Sequence, residues 1–121
     1  MYISKLEDLH LSKRKPLISI CVPVFDEADN ILDLYNRIKE LANNNRTVFN
    51  LELIFTDNAS RDGSWTIIQS LASDDKMVRG YRFGRNVGYQ KSILNNFSLS
   101  NGDVVVQLDA DLQDPPELIP Q

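Results

Sequence analysis

Apolar runs that stop at polar, acidic clusters constrain this chain more than any other feature. Leu17-Ile18-Ser19-Ile20-Cys21-Val22 is nearly continuous in apolar character and stops at Pro23, and Val104-Val105-Val106-Gln107-Leu108 stops at Asp109. A strand with one face in water alternates, whereas a strand covered on both faces reads like these runs. Leu51-Glu52-Leu53-Ile54-Phe55-Thr56, ending at Asp57, is another strand, and Met77 to Phe83 a weaker one.

Between the runs the period changes. Ile31, Leu34, Tyr35, Ile38, Leu41 and Ala42 recur at helical spacing, with Asp33, Arg37, Lys39 and Glu40 on the other face. The pattern predicts an amphipathic helix of about four turns, broken by Asn43-Asn44-Asn45. Trp65, Ile68, Leu71 and Ala72 share a face of a second helix, which Ser60 or Asp62 is placed to cap. Ile93, Leu94 and Phe97 mark a third helical segment from Tyr89 to Leu99, and Pro115-Pro116 opens a further one. Strands and helices alternate, with links long enough for right-handed crossovers. The expected fold is therefore α/β, a mainly parallel sheet with helices on both faces.

With 121 residues there is room for one core and not for two. Residues 1–16 read as a lead-in whose Lys13-Arg14-Lys15 cluster is solvated, and the folded unit runs over 17–121. A net charge of -4 gives no general attraction for a polyanion, which argues against nucleic acid. The single Cys21 excludes an intrachain disulfide and suits a reducing compartment. The N-terminus lacks an apolar stretch of signal-peptide length, and no run approaches the ~20 residues of a membrane span. A cytoplasmic placement is expected.

Sheets of this kind bind ligands beyond the carboxyl ends of their strands. There the sequence puts Pro23, Phe25, Asp26 and Glu27, then Thr56, Asp57, Asn58 and Ser60, and finally Asp109, Asp111 and Gln113. So many acids on one edge repel one another unless a cation sits among them. Helix capping accounts for Asp26, Asp29 or Asp62. It accounts poorly for Asp109 and Asp111, which two residues apart in a loop can converge on one ion. Mg2+ or Mn2+ suits such a pair, because one or two protein carboxylates suffice when phosphates and waters complete the shell. Neither a Gly-x-Gly-x-x-Gly nor a P-loop is present. One histidine, His10, and one cysteine offer no zinc set and no Ser-His or Cys-His pair.

Four ordered blocks carry a resemblance: Val22-Pro23-Val24-Phe25-Asp26-Glu27, Phe55-Thr56-Asp57-Asn58-Ala59-Ser60-Arg61-Asp62-Gly63-Ser64, Arg85-Asn86-Val87-Gly88-Tyr89-Gln90, and Gly102-Asp103 through Asp109-Ala110-Asp111-Leu112-Gln113-Asp114-Pro115-Pro116-Glu117. Over 17–121 they resemble the opening half of family-2 glycosyltransferases, especially the branch with dolichyl-phosphate mannosyltransferases and undecaprenyl-phosphate glucosyltransferases. The resemblance implies the N-terminal nucleotide-binding half of a GT-A (Rossmann-like) fold, truncated at its C-terminus. It also implies inverting transfer of a sugar from a UDP- or GDP-sugar to a polyprenyl phosphate or a glycan.

By the same resemblance Pro23, Phe25 and Glu27 lie along the base and ribose, with Phe25 in place of the usual Tyr. Asp57 and Asn58 match an acidic pair that contacts the base, Asn58 departing from the commoner Asp, and Thr56 lines that pocket. Asp109 and Asp111 match the clamp for metal and diphosphate, Ala110 lies beside the nucleotide, and Gln113 is a further metal ligand. Arg85 and Asn86 match a motif near the donor. The general base and any anchoring helices would follow Gln121, so the isolated chain is expected to bind donor weakly and turn over little, and a full-length form to work at the cytoplasmic face of a membrane. Two alternatives stand beside this: a non-catalytic remnant serving as an interaction module, and a receiver-type domain with Asp57 or Asp109 as phospho-acceptor. The second needs a fifth strand and a lysine near the site, which the sequence does not show where required.

Overall fold

The run expected as the first strand is the centre of the sheet. In the computed structural model, which describes residues 2–4, 15–88, 91, 98–111 and 116–119, the strands are β1 (Tyr2–Ser4), β2 (Leu17–Val24), β3 (Asn50–Asp57), β4 (Val78–Arg82) and β5 (Val104–Gln107). They lie side by side in the order β1-β5-β2-β3-β4. β5, β2, β3 and β4 are parallel, and β1 runs antiparallel on the outer edge of β5. That edge strand falls within the expected lead-in; three residues are too few to carry a period.

Two helices, α1 (Ala28–Asn44) and α2 (Ser64–Asp74), connect β2 to β3 and β3 to β4. Both pack on one face of the sheet. Ile31, Leu34, Ile38 and Leu41 of α1 and Ile68 of α2 are buried against Ile20, Val22, Leu53, Phe55 and Val106, the alternate residues that a pleated strand turns to one side. The opposite face carries Cys21, Ile54 and Val105, with Tyr81 packed against them. The helix expected from Tyr89 to Leu99 lies largely outside the described residues, of which Lys91, Ser98 and Leu99 are helical. Its end reaches this second face, since Arg79 donates to the Leu99 carbonyl at 2.8 Å.

Polar groups on that face fix the return of the chain into β5. Glu52 accepts hydrogen bonds from the Ser19 hydroxyl, the Asn101 amide and Arg79, and the Ser19 oxygen also accepts from the Gly102 amide at 2.8 Å. A Cβ on Gly102 would overlap Ser19 and lie 2.7 Å from its backbone nitrogen, so only glycine allows this approach.

β2 runs one residue past Pro23, although a proline cannot donate to a ladder. The reason lies in the alternation of a parallel strand, whose successive residues bond to opposite neighbours. Val24 accepts from Asn58 on the β3 side, whereas Cys21 accepts from Leu108 on the β5 side. Pro23 shares the orientation of Cys21. Its missing N–H therefore falls where the β2–β5 ladder ends, with Cys21 opposite Gln107 as the last pair.

Candidate functional site

The strand order makes a fork. β2 passes through α1 to β3 on one side, while β5 flanks it on the other and is reached only after β4. Where connections diverge in this way, the carboxyl ends of neighbouring strands leave a crevice. A cleft of about 310 Å³ lies there. Pro23, Val24, Phe25 and Glu27 line it from β2, Asp109, Ala110 and Asp111 from β5, and Asn58 and Asn86 from the two strands beyond.

Most of the residues expected from the sequence thus meet at one opening. Thr56 and Asp57 do not line it; both are fully buried at the end of β3. Arg85 is exposed and apart from it, and Gln113 lies outside the described residues. Val24 lines the cleft although nothing in its pattern distinguishes it from a core valine.

The loops after β2 and β3 are laced together. Asp26 N–H donates to Ser60 Oγ at 2.9 Å, Glu27 N–H to Ser64 Oγ at 3.0 Å, and Ala28 N–H to Asp62 Oδ2 at 3.2 Å. Asp62 Oδ1 also accepts from the Ser64 amide and hydroxyl, and these bonds hold its carboxyl below the usual range. Ser60 or Asp62 was expected to cap α2, and capping of α1 was the alternative account of Asp26 and Asp29. The boundary residues are Glu27 and Gly63, neither of which caps its helix with its own side chain, but Asp62 accepts from the first amide of each helix, that of Ala28 in α1 and that of Ser64 in α2. The short polar side chains serve the neighbouring loop.

Asp26 and Ala59, one in each loop, are the strained points of this lacing, with φ at 51° and 59° in the left-handed region; Asp26 is the more heavily tied. Its Oδ1 accepts from the Arg61 amide at 2.7 Å and its Oδ2 from the Arg61 guanidinium at 2.8 Å. The guanidinium holds the Asp26 carboxyl below its usual range and sits 5.3 Å from the centroid of the Phe25 ring. The Asp26 backbone conformation, which costs energy, is thus kept by bonds on both sides, next to Phe25 in the cleft wall.

Asp57 spends one oxygen locally. Its Oδ2 accepts from the Ser60 amide at 3.0 Å and pairs with Arg82 Nε at 3.3 Å, while its buried Oδ1 has no hydrogen-bond partner. The Asn58 side chain faces the next loop: its Oδ1 accepts from the Val87 amide at 2.7 Å, and its Nδ2 donates to Asn86 Oδ1 at 2.8 Å.

Beyond β5, Asp109 is half-buried, Ala110 buried and Asp111 exposed. The chain that follows is tied to α1. Arg37 donates to the two oxygens of Glu117 at 2.9 and 2.7 Å, within a short 3-10 helix, Pro116–Leu118, and Ile119 packs on the core. Among the described residues no group of three or more His, Cys, Asp or Glu comes together to hold a metal. Two carboxylates at an open cleft fit a hard cation that takes most of its oxygens from a ligand and from water, and do not fit a closed zinc site. Nor is any helix among these residues long and apolar enough to cross a membrane.

Comparison with known proteins agrees with this architecture. Over 101 residues the chain is 41% identical to an uncharacterized glycosyltransferase, YkcC, of Bacillus subtilis (strain 168), covering 84% of this chain and 31% of that protein. Over 104 residues it is 35% identical to a bactoprenol glucosyl transferase of Shigella phage SfX, covering 86% of this chain and 33% of the relative. The chain therefore spans about a third of the length of these relatives. A mannosyltransferase from Pyrobaculum calidifontis, PcManGT, solved in complex with GDP-Man and Mn2+, superposes with a TM-score of 0.69 at 24% identity, over 82% of this chain and 28% of that one. This likeness shows a shared GT-A-like fold. Residues 19–121 match the family described as Glycosyl transferase family 2, and with these relatives the match establishes that the chain belongs to that family.

Proposed function

We propose that this chain supplies the donor site of an inverting glycosyltransferase that moves a sugar from a nucleoside diphosphate to a polyprenyl phosphate. The observation that carries the reading is the meeting of Asp109 and Asp111 with Phe25 and Glu27 at one cleft. A nucleotide sugar has an aromatic base at one end and a diphosphate at the other, and the cleft offers a ring toward one and a carboxylate pair toward the other. Asp109 and Asp111 would hold Mg2+ or Mn2+, with Gln113 as a further ligand. The ion supplies charge neutralisation at the diphosphate as the bond to the sugar breaks. Asp57 Oδ1, buried without a hydrogen-bond partner just behind the cleft wall and directly opposite Val24 in the β2–β3 register, would offer an acceptor to a base N–H that reaches past Val24, and Thr56 precedes it.

The choice of acceptor rests on the phage relative, whose name states a bactoprenol substrate, and a glycan is the other acceptor in view. The metal has support from PcManGT, solved with GDP-Man and Mn2+. A group that activates the acceptor, and a closed site that excludes water, are further requirements of such a transfer. Because it spans about a third of its relatives' length, the chain by itself is read as binding donor with little turnover, and a protein of the relatives' length as working at the cytoplasmic face of a membrane.

Calorimetry tests the reading. Titrating UDP-glucose or GDP-mannose with Mn2+ gives binding heat, which Asp109→Asn or Asp111→Asn removes. Silence with both donors and metal would overturn the donor site and favour an interaction module.

A further inference from the structure

We propose that Asn58 is a positioning residue, which builds the wall of the cleft through Asn86 and must be an amide to do so. The proposal rests on the donor-site reading for its effect on binding, and on geometry alone for the wall itself.

Asn58 stands on a rigid base, because its backbone N–H donates to the Val24 carbonyl at 2.8 Å and so continues the β2–β3 ladder. From there its side chain reaches a loop remote in sequence. Asn58 Oδ1 accepts from the Val87 amide at 2.7 Å, and Asn86 Oδ1 accepts from the Gly88 amide at 2.8 Å. Backbone N–H groups only donate, so these two contacts fix which atom of each side-chain amide is oxygen. The remaining contact, 2.8 Å between the two side chains, is then Nδ2–H of Asn58 to Oδ1 of Asn86. Each partner is thereby assigned a direction. Asn58 gives and accepts, whereas in these contacts Asn86 only accepts.

A carboxylate at 58 breaks this chain. It would set oxygen against Asn86 Oδ1, or turn Asn86 over and set its NH2 against the Gly88 N–H. A carboxylate at 86 does neither, since its oxygen still accepts from Asn58 and from Gly88. The departure from Asp at position 58 is thus explained by the loop it holds. Gly88 completes the arrangement with φ at +85°, a conformation that L side chains rarely adopt.

The test compares Asn58→Asp with Asn86→Asp, each of which adds one negative charge to the same cleft. In 15N-resolved NMR spectra without donor, Asn58→Asp shifts the Val87 and Gly88 amide resonances toward values of unbonded amides, and Asn86→Asp leaves them close to wild type. In calorimetry with GDP-mannose or UDP-glucose and Mn2+, Asn58→Asp weakens binding about tenfold or more, and the neutral Asn58→Leu, which carries no hydrogen-bonding group, does the same. If Asn58→Asp leaves both amides in place, the proposed wall does not exist. If Asn58→Leu binds donor as well as wild type, the wall exists without a role in binding, and the positioning role is overturned. A wild-type chain that binds neither donor overturns the donor-site reading, and the amide resonances still decide whether Asn58 holds the loop.

Discussion

Arg82 holds one oxygen of the buried Asp57 carboxylate at 3.3 Å, while the other oxygen of the same group has no hydrogen-bond partner. Because Asp57 is fully buried and Arg82 partly exposed, removing the cation leaves a carboxylate in the interior with only the Ser60 amide to receive it. Arg82→Ala is expected to cost about 1–3 kcal/mol, the range for a buried charged group deprived of its partner near a surface. Equilibrium urea denaturation checks it, and a loss under about 0.5 kcal/mol would show that water reaches Asp57.

Two glycines contrast a side-chain neighbour with a backbone one. A Cβ at Gly80 would overlap the Ile68 side chain under α2, whereas at Gly102 it meets Ser19 and backbone atoms of β2 at 2.7 and 2.9 Å. Overpacking costs about 1–3 kcal/mol. Gly102→Ala belongs at the upper end, because two of the atoms it meets under 3.0 Å are backbone of β2, a strand held on both sides, and Gly80→Ala below it, because the one atom it meets under 3.0 Å is a methyl of Ile68, which a small shift of α2 can move. Denaturation midpoints that reverse this order would contradict the packing described.

Acid should unlace the loops that present Phe25 and Glu27. The Asp26 carboxyl lies below its ordinary value because of Arg61, and that of Asp62 because of Ser64. A carboxylate whose folded-state pKa is depressed adds stability above the unfolded value, near ~4, and loses it as pH falls through the folded value. The denaturation midpoint should therefore hold steady from pH 7 to about 5 and fall below about 4. Asp26→Asn should flatten part of that fall.

Cys21 should resist thiol reagents. Burial, then the charge of Glu52, pushes its pKa up to about 12, and the thiolate is the reactive form. At pH 8 labelling by an aromatic disulfide should follow unfolding, faster in urea and negligible in its absence. Prompt labelling of the folded chain would place Cys21 nearer solvent than the core cluster it occupies.

The ion pair of Arg37 with Glu117 is part-exposed on both sides, so Arg37→Ala should change stability by under about 1 kcal/mol. Its effect belongs to the site. With the segment behind Asp111 untied from α1, metal-dependent donor affinity should fall several-fold, and the exchanged pair Arg37→Glu with Glu117→Arg should recover part of it.

The parallel sheet was legible because its runs are apolar on both faces, and α1 because its apolar stripe spans whole turns. Pro23, Phe25, Glu27, Asp109, Ala110 and Asp111 were legible because a strand end fixes where the next residues emerge. What escaped depends on atoms rather than periods. The edge strand Tyr2–Ser4 is shorter than any pattern. Ser60, Asp62 and Ser64 have the composition of helix caps; Asp62 does accept from the Ser64 amide of α2, and only three dimensions show that all three also accept from the amides of residues 26–28. Asn58 was expected at the site and lines the cleft, but the engagement of its amide by Val87 and Asn86 is visible only in three dimensions.

Pro23 gives the cleft its permanence. Many crevices in proteins are bounded by hydrogen bonds that a neighbouring strand could extend and so seal. Here the next rung on the β5 side is forbidden by covalent structure, since an imino acid stands where a donor would have to be. A register slip does not restore that donor, so extension of the β2–β5 ladder past Cys21 always lacks this bond. The opening at the end of the β2–β5 ladder is therefore favoured by the covalent structure of one residue.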